Sequence, residues 1–241
     1  MSTPYPKGYA GASHEGRSQV SRRPRATEPL TRERVVSAAI EVADDRGYEA
    51  VSMRRVAEHL GSGTMSLYRH IADKNELVSA MVDQVTGRYT YPDPEGMDWR
   101  ERMHAFARTD WRMFLDHPWM LAATASVTPP FGTQSFAAME WALEALESVG
   151  LEPHAAAQVI MTVNNYVQGS VRVVLGEADH DTETDDPGVN WQRRLRDIDL
   201  DQFPRLRELV RLPLPQTDRN WFADGLDVIL DGVQNHRSTD R

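Results

Sequence analysis

The turn Gly61-Ser62-Gly63 joins two short helical patterns, and its brevity restricts how the two helices can pack. The pattern before the turn follows Ser52, and its apolar residues are Met53, Val56, Ala57 and Leu60. The pattern after the turn covers about Thr64 to His70. Two short helices joined by a short glycine-containing turn describe a helix-turn-helix. A plain helical hairpin without any DNA contact fits the same pattern.

The rest of the chain from Thr31 is also helical in pattern, because apolar residues recur at i, i+3 and i+4 without strict two-residue alternation. Helices are predicted at about 31–47, 73–85, 98–115, 119–126, 134–149, 153–176, 204–211 and 218–235. Proline and glycine at 92–96 predict a linker, and the acidic, aperiodic residues 177–202 predict a mobile loop. The predicted fold class is therefore all-α.

Charge is distributed unevenly along the chain, with a basic N-terminal third and an acidic remainder. Residues 1–75 hold 12 Lys or Arg and 9 Asp or Glu, a net charge of +3, so the other 166 residues must carry −12 for the total to be −9. This asymmetry favours a DNA contact confined to the N-terminal third. Residues 1–30 are rich in Pro, Gly, Ser and Arg and predict a disordered basic arm. Its Arg22, Arg23 and Arg25 fit contacts to phosphates or a minor groove, and a solvated tail fits equally well.

The composition excludes several classes of protein and site. The chain has no cysteine, which excludes disulfides, cysteine nucleophiles and thiolate metal sites and agrees with a cytoplasmic protein. No apolar run approaches the roughly 18 residues of a membrane-spanning helix. Common hydrolase, metalloprotease and nucleotide-binding motifs do not occur, so no enzyme is predicted. An EF-hand register from Asp179 fails because Thr184 and Asn190 replace the turn glycine and the bidentate glutamate. No metal and no cofactor are predicted, and metal-assisted effector binding stays open.

One series of residues in the N-terminal third is specific in type and spacing. It comprises 30–39, Gly47, 51–57, Gly61 and 67–77, and its marker residues in order are Ala57, Gly61, Leu67, Tyr68, His70, Lys74 and Leu77. Residues 31–77 thereby resemble the DNA-binding domain of the TetR (tetracycline repressor) family. The resemblance implies a three-helix domain with a helix-turn-helix that binds double-stranded operator DNA.

The resemblance also assigns roles to individual side chains. Those predicted to bind DNA are Arg54, Thr64, Met65, Ser66, Tyr68, His70 and Lys74. Arg54 corresponds to a guanine or phosphate contact, residues 64–66 to the base-facing start of the recognition helix, and the last three to phosphate contacts. The side chains suit these roles, since hydroxyls and cations bind phosphates and base edges. Gly63 departs from the family's usual Ser or Thr cap and Met65 from its usual small residue, so the base sequence read is not transferable.

The C-terminal half resembles the tetracycline-repressor-like C-terminal class less specifically. The segments that carry this resemblance are 116–119, with the sequence Asp-His-Pro-Trp, and 165–169, with Asn-Tyr-Val-Gln-Gly. It implies that residues 78–241 form a helical domain with a ligand cavity in each subunit, and that the last long helices form a homodimer. His117 is read as a loop or capping residue rather than a metal ligand.

Residue types in this half agree with a pocket for a small molecule. Aromatic and Met side chains are frequent, and amides interrupt the apolar helix near 159–171. A pocket needs a few polar groups among apolar walls. The predicted lining residues are Trp111, Phe114, Trp141, Asn164, Asn165 and Gln168. For the amides, a place in the dimer interface or in solvent fits as well.

Gly225 and Gly232 lie seven residues apart in the last helix and predict a dimer seam, because a close approach by another helix would offset the helix-destabilising effect of glycine. The sequence thus predicts a dimeric repressor that a small-molecule effector releases from a palindromic operator. Two alternatives stay open. One is a helical small-molecule-binding protein or enzyme with a vestigial helix-turn-helix, and the other is a DNA-binding activator.

Overall fold

A computed structural model of the chain describes residues 29–125, 132–177, 186–196, 198–213 and 220–239. All α-helices in these residues, in chain order, are α1 Arg32–Arg46, α2 Met53–Leu60, α3 Thr64–Leu67, α4 Lys74–Thr86, α5 Trp99–Asp116, α6 Met120–Ala123, α7 Thr133–Glu147, α8 Pro153–Glu177, α9 Pro187–Leu195, α10 Pro204–Arg211 and α11 Trp221–Thr239. A short 3₁₀ turn covers Tyr48–Ala50. The predicted all-α class is confirmed. The predicted arm lies outside the described residues up to residue 28.

Side-chain caps fix where several helices begin. Thr31 Oγ1 accepts a hydrogen bond from the N–H of Arg34 at 3.2 Å and so caps α1. Asp98 and Glu101 form a reciprocal capping box at the start of α5, with both bonds at 2.9 Å. Such caps satisfy the N–H groups that have no partner inside the helix. The sequence signals for these two helix starts are therefore local.

The described residues fall into two compact units, one ending at Asn164 and the other beginning at Asn165. In the first unit α1 packs against α2 and α4, and α4 also packs against α6 and α7. Its core contains fully buried apolar side chains, among them Ile40, Leu67, Leu77, Met81, Met103 and Leu146. Helix α4 therefore belongs both to the helix-turn-helix and to the body that follows it.

The predicted mobile loop at 177–202 is wrong in part, because residues Pro187–Leu195 form α9. Asp186 caps this helix by accepting the N–H groups of Gly188 and Val189, and Pro187 occupies its first turn. Proline suits that position because its missing N–H is not needed there. Polar residues with an aperiodic pattern concealed the helix, while residues 178–185 lie outside the described part of the chain.

The second unit contains α9, α10, α11 and the C-terminal part of α8. Tyr166 of α8 stacks on Phe222 of α11, with ring centroids 5.2 Å apart, and its hydroxyl donates to the Phe222 carbonyl at 3.0 Å. A Cβ at Gly225 would overlap the Tyr166 ring. The close approach at Gly225 thus accommodates Tyr166 of the same chain, and the dimer seam predicted along this helix stays a prediction. No described atom lies within 4 Å of a Cβ placed at Gly232.

Candidate nucleic-acid interface and effector site

The turn between α2 and α3 has the geometry that its glycines predict. Gly61 adopts the left-handed conformation, with φ 63° and ψ 31°. Its N–H donates to the Glu58 carbonyl at 3.1 Å, and the N–H of Ser62 donates to the Ala57 carbonyl at 2.9 Å. These two bonds form a Schellman motif, which ends a helix and satisfies its last carbonyls. Gly63 then begins α3 without a side-chain cap.

Helix α3 divides its side chains between core and solvent. Leu67 is fully buried and attaches the helix to its own domain. Met65 is 77% exposed and Tyr68 46% exposed, whereas Thr64 and Ser66 are half-buried. Met side chains are usually buried in folded proteins, so the exposure of Met65 is unusual. The face of α3 that carries Met65 is therefore free to enter a DNA groove.

Lys74 is the first residue of α4, where the helix dipole favours an anion. Asp73 caps this helix by accepting the N–H of Glu76 at 2.8 Å. Glu76 reaches back to the N–H of Ala72 at 2.6 Å and pairs with Arg32 at 3.2 Å, and these bonds hold the pKa of its carboxyl below the ordinary value. Lys74 Nζ lies 5.3 Å from the centroid of the Tyr48 ring. Its ammonium is thus held near the start of α4.

The other two predicted phosphate or base contacts lie on either side of α3. Arg54, in the first turn of α2, is exposed, and its Nε lies 3.4 Å from Glu58 Oε1 within the same helix. His70 is half-buried in the turn after α3. An exposed ion pair of this kind contributes about 0.3 to 0.5 kcal/mol, so Arg54 can exchange Glu58 for a phosphate at small cost.

Asp44 of α1 connects the DNA-binding helices to the segment between α5 and α6. Its Oδ1 accepts the indole N–H of Trp119 at 2.7 Å and lies 2.7 Å from His117 Nδ1. The backbone N–H of His117 also donates to the Met113 carbonyl at 2.9 Å, which makes His117 the C-terminal cap of α5. The interpretation of His117 as a capping residue is confirmed.

A polar cluster lies inside the apolar body of the first unit. Asp110 of α5 is only 3% exposed, and its carboxylate accepts the Tyr91 hydroxyl and the Asn164 amide, each at 3.0 Å. Burial raises the pKa of Asp110 to about 6, although both hydrogen bonds act to lower it. Burial and the nearby Asp110 raise the pKa of Tyr91 far above its ordinary value. Tyr91 is therefore a neutral donor, and Asp110 is its acceptor.

Trp141 of α7 lies at the edge of this cluster. Its ring stacks on Tyr91, with centroids 4.9 Å apart, and the Arg102 guanidinium carbon lies 4.6 Å from its centroid. Arg102 also donates to the Trp141 carbonyl at 2.6 Å. The Trp141 indole N–H and the Arg102 Nε–H are buried, and the part of the chain that the structure describes offers neither of them an acceptor. Buried polar groups are nearly always paired, so two adjacent free donors require an explanation.

The chain matches two family models over most of its length. One describes bacterial regulatory proteins of the tetR family and matches residues 35–81. The other describes the tetracyclin repressor-like C-terminal domain and matches residues 91–237, more than half of the chain. The chain belongs to the TetR family. It is a helix-turn-helix transcriptional regulator, as its sequence predicts.

Relatives of known name agree with this membership. The HTH-type transcriptional repressor DrrR1 of Streptomyces coeruleorubidus is 34% identical over 226 residues, which span 89% of this chain and 80% of DrrR1. Apo ActR of Streptomyces coelicolor superposes with a TM-score of 0.72 at 29% identity, covering 90% of this chain and 100% of ActR. ActR in complex with actinorhodin gives a TM-score of 0.69 at 29% identity, covering 87% and 99% of the two chains.

In this TetR-family chain four of the six predicted lining residues belong to the first unit and two to the second. Trp141 and Asn164 both contact the buried polar cluster. Trp141 stacks on Tyr91, and Asn164 donates a hydrogen bond to Asp110. Phe114 is buried and Trp111 half-buried along α5. Asn165 is exposed beside the groove described next, and Gln168 is half-buried and accepts from Arg172 at 3.5 Å. The structure thus brings two of the six together.

Three residues of the cluster were missed by sequence reasoning, namely Tyr91, Arg102 and Asp110. Asp110 had a detectable signal, because its spacing from Phe106 and Phe114 places it on the buried stripe of α5. A lone carboxylate on such a stripe indicates a buried polar site. Tyr91 had no such signal, since it lies in the irregular segment between α4 and α5.

An open groove of about 590 Å³ lies between α8 and α11 in the second unit. Its walls include Val173 and Val228, and Val228 is 73% exposed. Apolar side chains exposed together on neighbouring helices indicate a surface that another molecule covers. Among the described residues no helix is both long and apolar enough to cross a membrane. No group of three or more His, Asp or Glu that could hold a metal ion occurs in the described residues.

Proposed function

We propose that this protein is a dimeric repressor that leaves a palindromic operator when a small-molecule effector binds in the body of the subunit. One observation carries the proposal. Helix α4 begins with Lys74 beside the helix-turn-helix and packs against α7, which carries Trp141 of the buried cluster. A single helix therefore joins the DNA-binding domain to the effector-binding region. DrrR1 is named a repressor, which supports the repressor role, and ActR is solved in complex with actinorhodin, which supports binding of a small-molecule effector.

On the DNA, α3 enters the major groove with Met65 and the hydroxyls of Thr64 and Ser66 toward the bases. Arg54, Tyr68, His70 and Lys74 bind phosphates on either side. Phosphate contacts fix the position of the protein, and base contacts provide specificity. The exposure of Met65 and Tyr68 and the location of Lys74 at a helix N-terminus support this assignment.

The effector binds around Asp110, with Trp141 and Asn164 as two of its contacts. The remaining four candidates are Trp111, Phe114, Asn165 and Gln168. The effector must bind the DNA-incompetent state more tightly than the competent one, since equal affinity shifts no population. The protein acts in the cytoplasm and catalyses no reaction.

The dimer forms through the groove between α8 and α11, whose exposed Val173 and Val228 become buried. Two-fold symmetry then places two recognition helices about 34 to 36 Å apart, one turn of DNA. Sedimentation at micromolar concentration is expected to give about twice the 27.3 kDa of the chain. A monomer at all concentrations would contradict the palindromic operator.

DNA binding is tested by selecting an operator from random duplexes and measuring affinity over a range of salt concentrations. Lys74→Ala is expected to weaken binding to all sequences about equally and to reduce the slope of log K against log salt by about 1. Met65→Ala is expected to change the preference among sequences. The control is Arg194→Ala, which removes one exposed positive charge from α9. Equal salt slopes for Lys74→Ala and wild type would contradict the phosphate contact.

A further inference from the structure

Tyr91 occupies a slot in the body of the subunit although it belongs to the irregular segment between α4 and α5. Its ring is nearly parallel to those of Trp141 and Phe106, at interplanar angles of 21° and 20° and centroid distances of 4.9 and 5.7 Å. Its hydroxyl donates to Asp110 Oδ1 at 3.0 Å. A linker side chain is thus held by ring stacking and one directed hydrogen bond.

This arrangement is how a protein binds a small phenol. Aromatic walls provide most of the contact area, and one well-placed polar group fixes the orientation. Asn164 holds the other oxygen of Asp110 at 3.0 Å, so the acceptor has a defined direction. Trp141, whose ring stacks on Tyr91, carries a buried indole N–H without an acceptor among the described residues, and so does the Arg102 Nε–H beside the same ring. The slot therefore suits a planar aromatic ligand with a hydroxyl donor and, at its edge, a carbonyl or other acceptor.

We infer that Tyr91 is a tethered occupant of the effector slot and that a planar aromatic ligand with a hydroxyl group takes its place. This inference rests on the proposed function and specifies the effector's chemistry and its coupling to DNA. Tyr91 follows the last residue of α4, Thr86, by five positions, so release of its side chain frees the segment that restrains α4. Displacement thereby loosens the link between the body and the recognition helix.

The tether also sets the effector's affinity. If the slot is free of Tyr91 in about 1% of molecules, the apparent dissociation constant of a ligand is about 100-fold weaker than its intrinsic value. Weakening the tether therefore strengthens ligand binding and weakens operator binding together. If Tyr91 only fills the core, a ligand that takes its place would instead restore operator binding as well as stability.

The test uses 4-methylphenol, which is the tyrosine side chain as a free molecule, and the variant Tyr91→Ala. Small aromatic molecules bind the cavity left by a deleted core side chain. We expect 4-methylphenol to raise the Tm of Tyr91→Ala and to bind it at least tenfold more tightly than wild type, and toluene, which lacks the hydroxyl, to bind more weakly. Tyr89→Ala is the control, because Tyr89 lies in the same segment but donates to Asp116 instead.

Operator affinity distinguishes a Tyr91 that restrains the segment after α4 from a Tyr91 that only fills space in the core. The free phenol restores the stability of Tyr91→Ala, but it leaves operator affinity low, because it is not attached to the segment after α4. If 4-methylphenol restored both the stability and the operator affinity of Tyr91→Ala, the inference that Tyr91 acts as a tether would be refuted. Equal binding of 4-methylphenol to Tyr91→Ala and Tyr89→Ala would overturn the slot. Wild-type protein that binds no operator would instead refute the proposed function, and phenol binding would still be measurable.

The variant Tyr91→Phe covers the case in which Tyr91→Ala does not fold. It keeps the stacked ring and removes only the hydrogen bond to Asp110. We expect it to bind 4-methylphenol about tenfold more tightly than wild type, since a charge-assisted hydrogen bond of the tether is lost while that of the ligand remains. Affinity equal to that of wild type would overturn the inference.

Discussion

Replacing Asp110 by asparagine is expected to stabilise the protein at neutral and alkaline pH. Asp110 is buried in α5, and its environment raises its pKa from the ordinary 3.8 to about 6. A raised pKa in the folded state means that ionisation favours unfolding. The stability that Asp110 contributes is complete below about pH 4 and is lost as the pH rises through about 6. Above pH 6 the folded protein must bury a carboxylate.

The difference between the ordinary pKa of 3.8 and the raised pKa of about 6 for Asp110 sets the size of the change in stability. Each tenfold change in proton affinity corresponds to about 1.4 kcal/mol, so the buried charge costs on the order of 3 kcal/mol. An asparagine keeps the shape and can accept from Tyr91, while the Asn164 amide turns to present its oxygen. The new amide has its own desolvation cost, so we expect a net gain of about 1 to 2 kcal/mol at pH 8.

Urea denaturation followed by circular dichroism at intervals from pH 4 to pH 8 measures this difference. Asp110→Asn is expected to gain on wild type steadily as the pH rises through 6 and to show little advantage at pH 4. Asp116→Asn, at the exposed end of the same helix, is the control for loss of a negative charge as such. A difference between Asp110→Asn and wild type that does not change with pH would refute the argument.

Substitutions at three glycines test close packing. Gly225→Ala is expected to lower the free energy of unfolding by about 1 to 3 kcal/mol, because its Cβ would overlap the Tyr166 ring. Gly232→Ala in the same helix meets no described atom and is expected to raise the free energy of unfolding by up to about 1 kcal/mol. Thermal unfolding of both variants measures the difference. Gly132→Ala is expected to cost about 0.5 to 2 kcal/mol, since its Cβ would displace the Asp83 carboxylate, which caps α7 by accepting the N–H of Gln134 at 2.7 Å. In the Asp83→Ala background the same change is expected to cost little, and additive costs would show that Gly132 acts independently of the cap.

The N-terminal third was readable from sequence because its determinants are local. Gly61 permits the left-handed turn, Ser52 and Asp73 cap the helices that follow them, and Leu67 faces inward at helical spacing. Each of these effects acts within a few residues along the chain. The position of the helix-turn-helix and its resemblance to the TetR family therefore followed from the residues themselves. The roles of its DNA-binding side chains stay predictions.

The body of the subunit was predictable as helices but not as a site. Helical spacing located α5, α7 and α8, and the spacing of Asp110 from Phe106 and Phe114 was an available but unused signal of its burial. Helical spacing gave no sign that Tyr91, 19 residues earlier, donates to that carboxylate. Of the candidate lining residues, Trp141 and Asn164 meet this cluster and Asn165 does not, although Asn164 and Asn165 are adjacent. Adjacent residues on a helix face different directions, and only packing decides which direction is inward.

Contacts between distant segments account for what the sequence left undetermined. Asp83 caps a helix 51 residues away, Asp44 binds Trp119 across 75 residues, and Gly225 makes room for the ring of Tyr166 on another helix of the same chain. A sequence pattern records the preference of a residue for a helix, a turn or the interior. The identity of the neighbour depends on how the helices pack, and this is fixed only when all of them bury their apolar faces together.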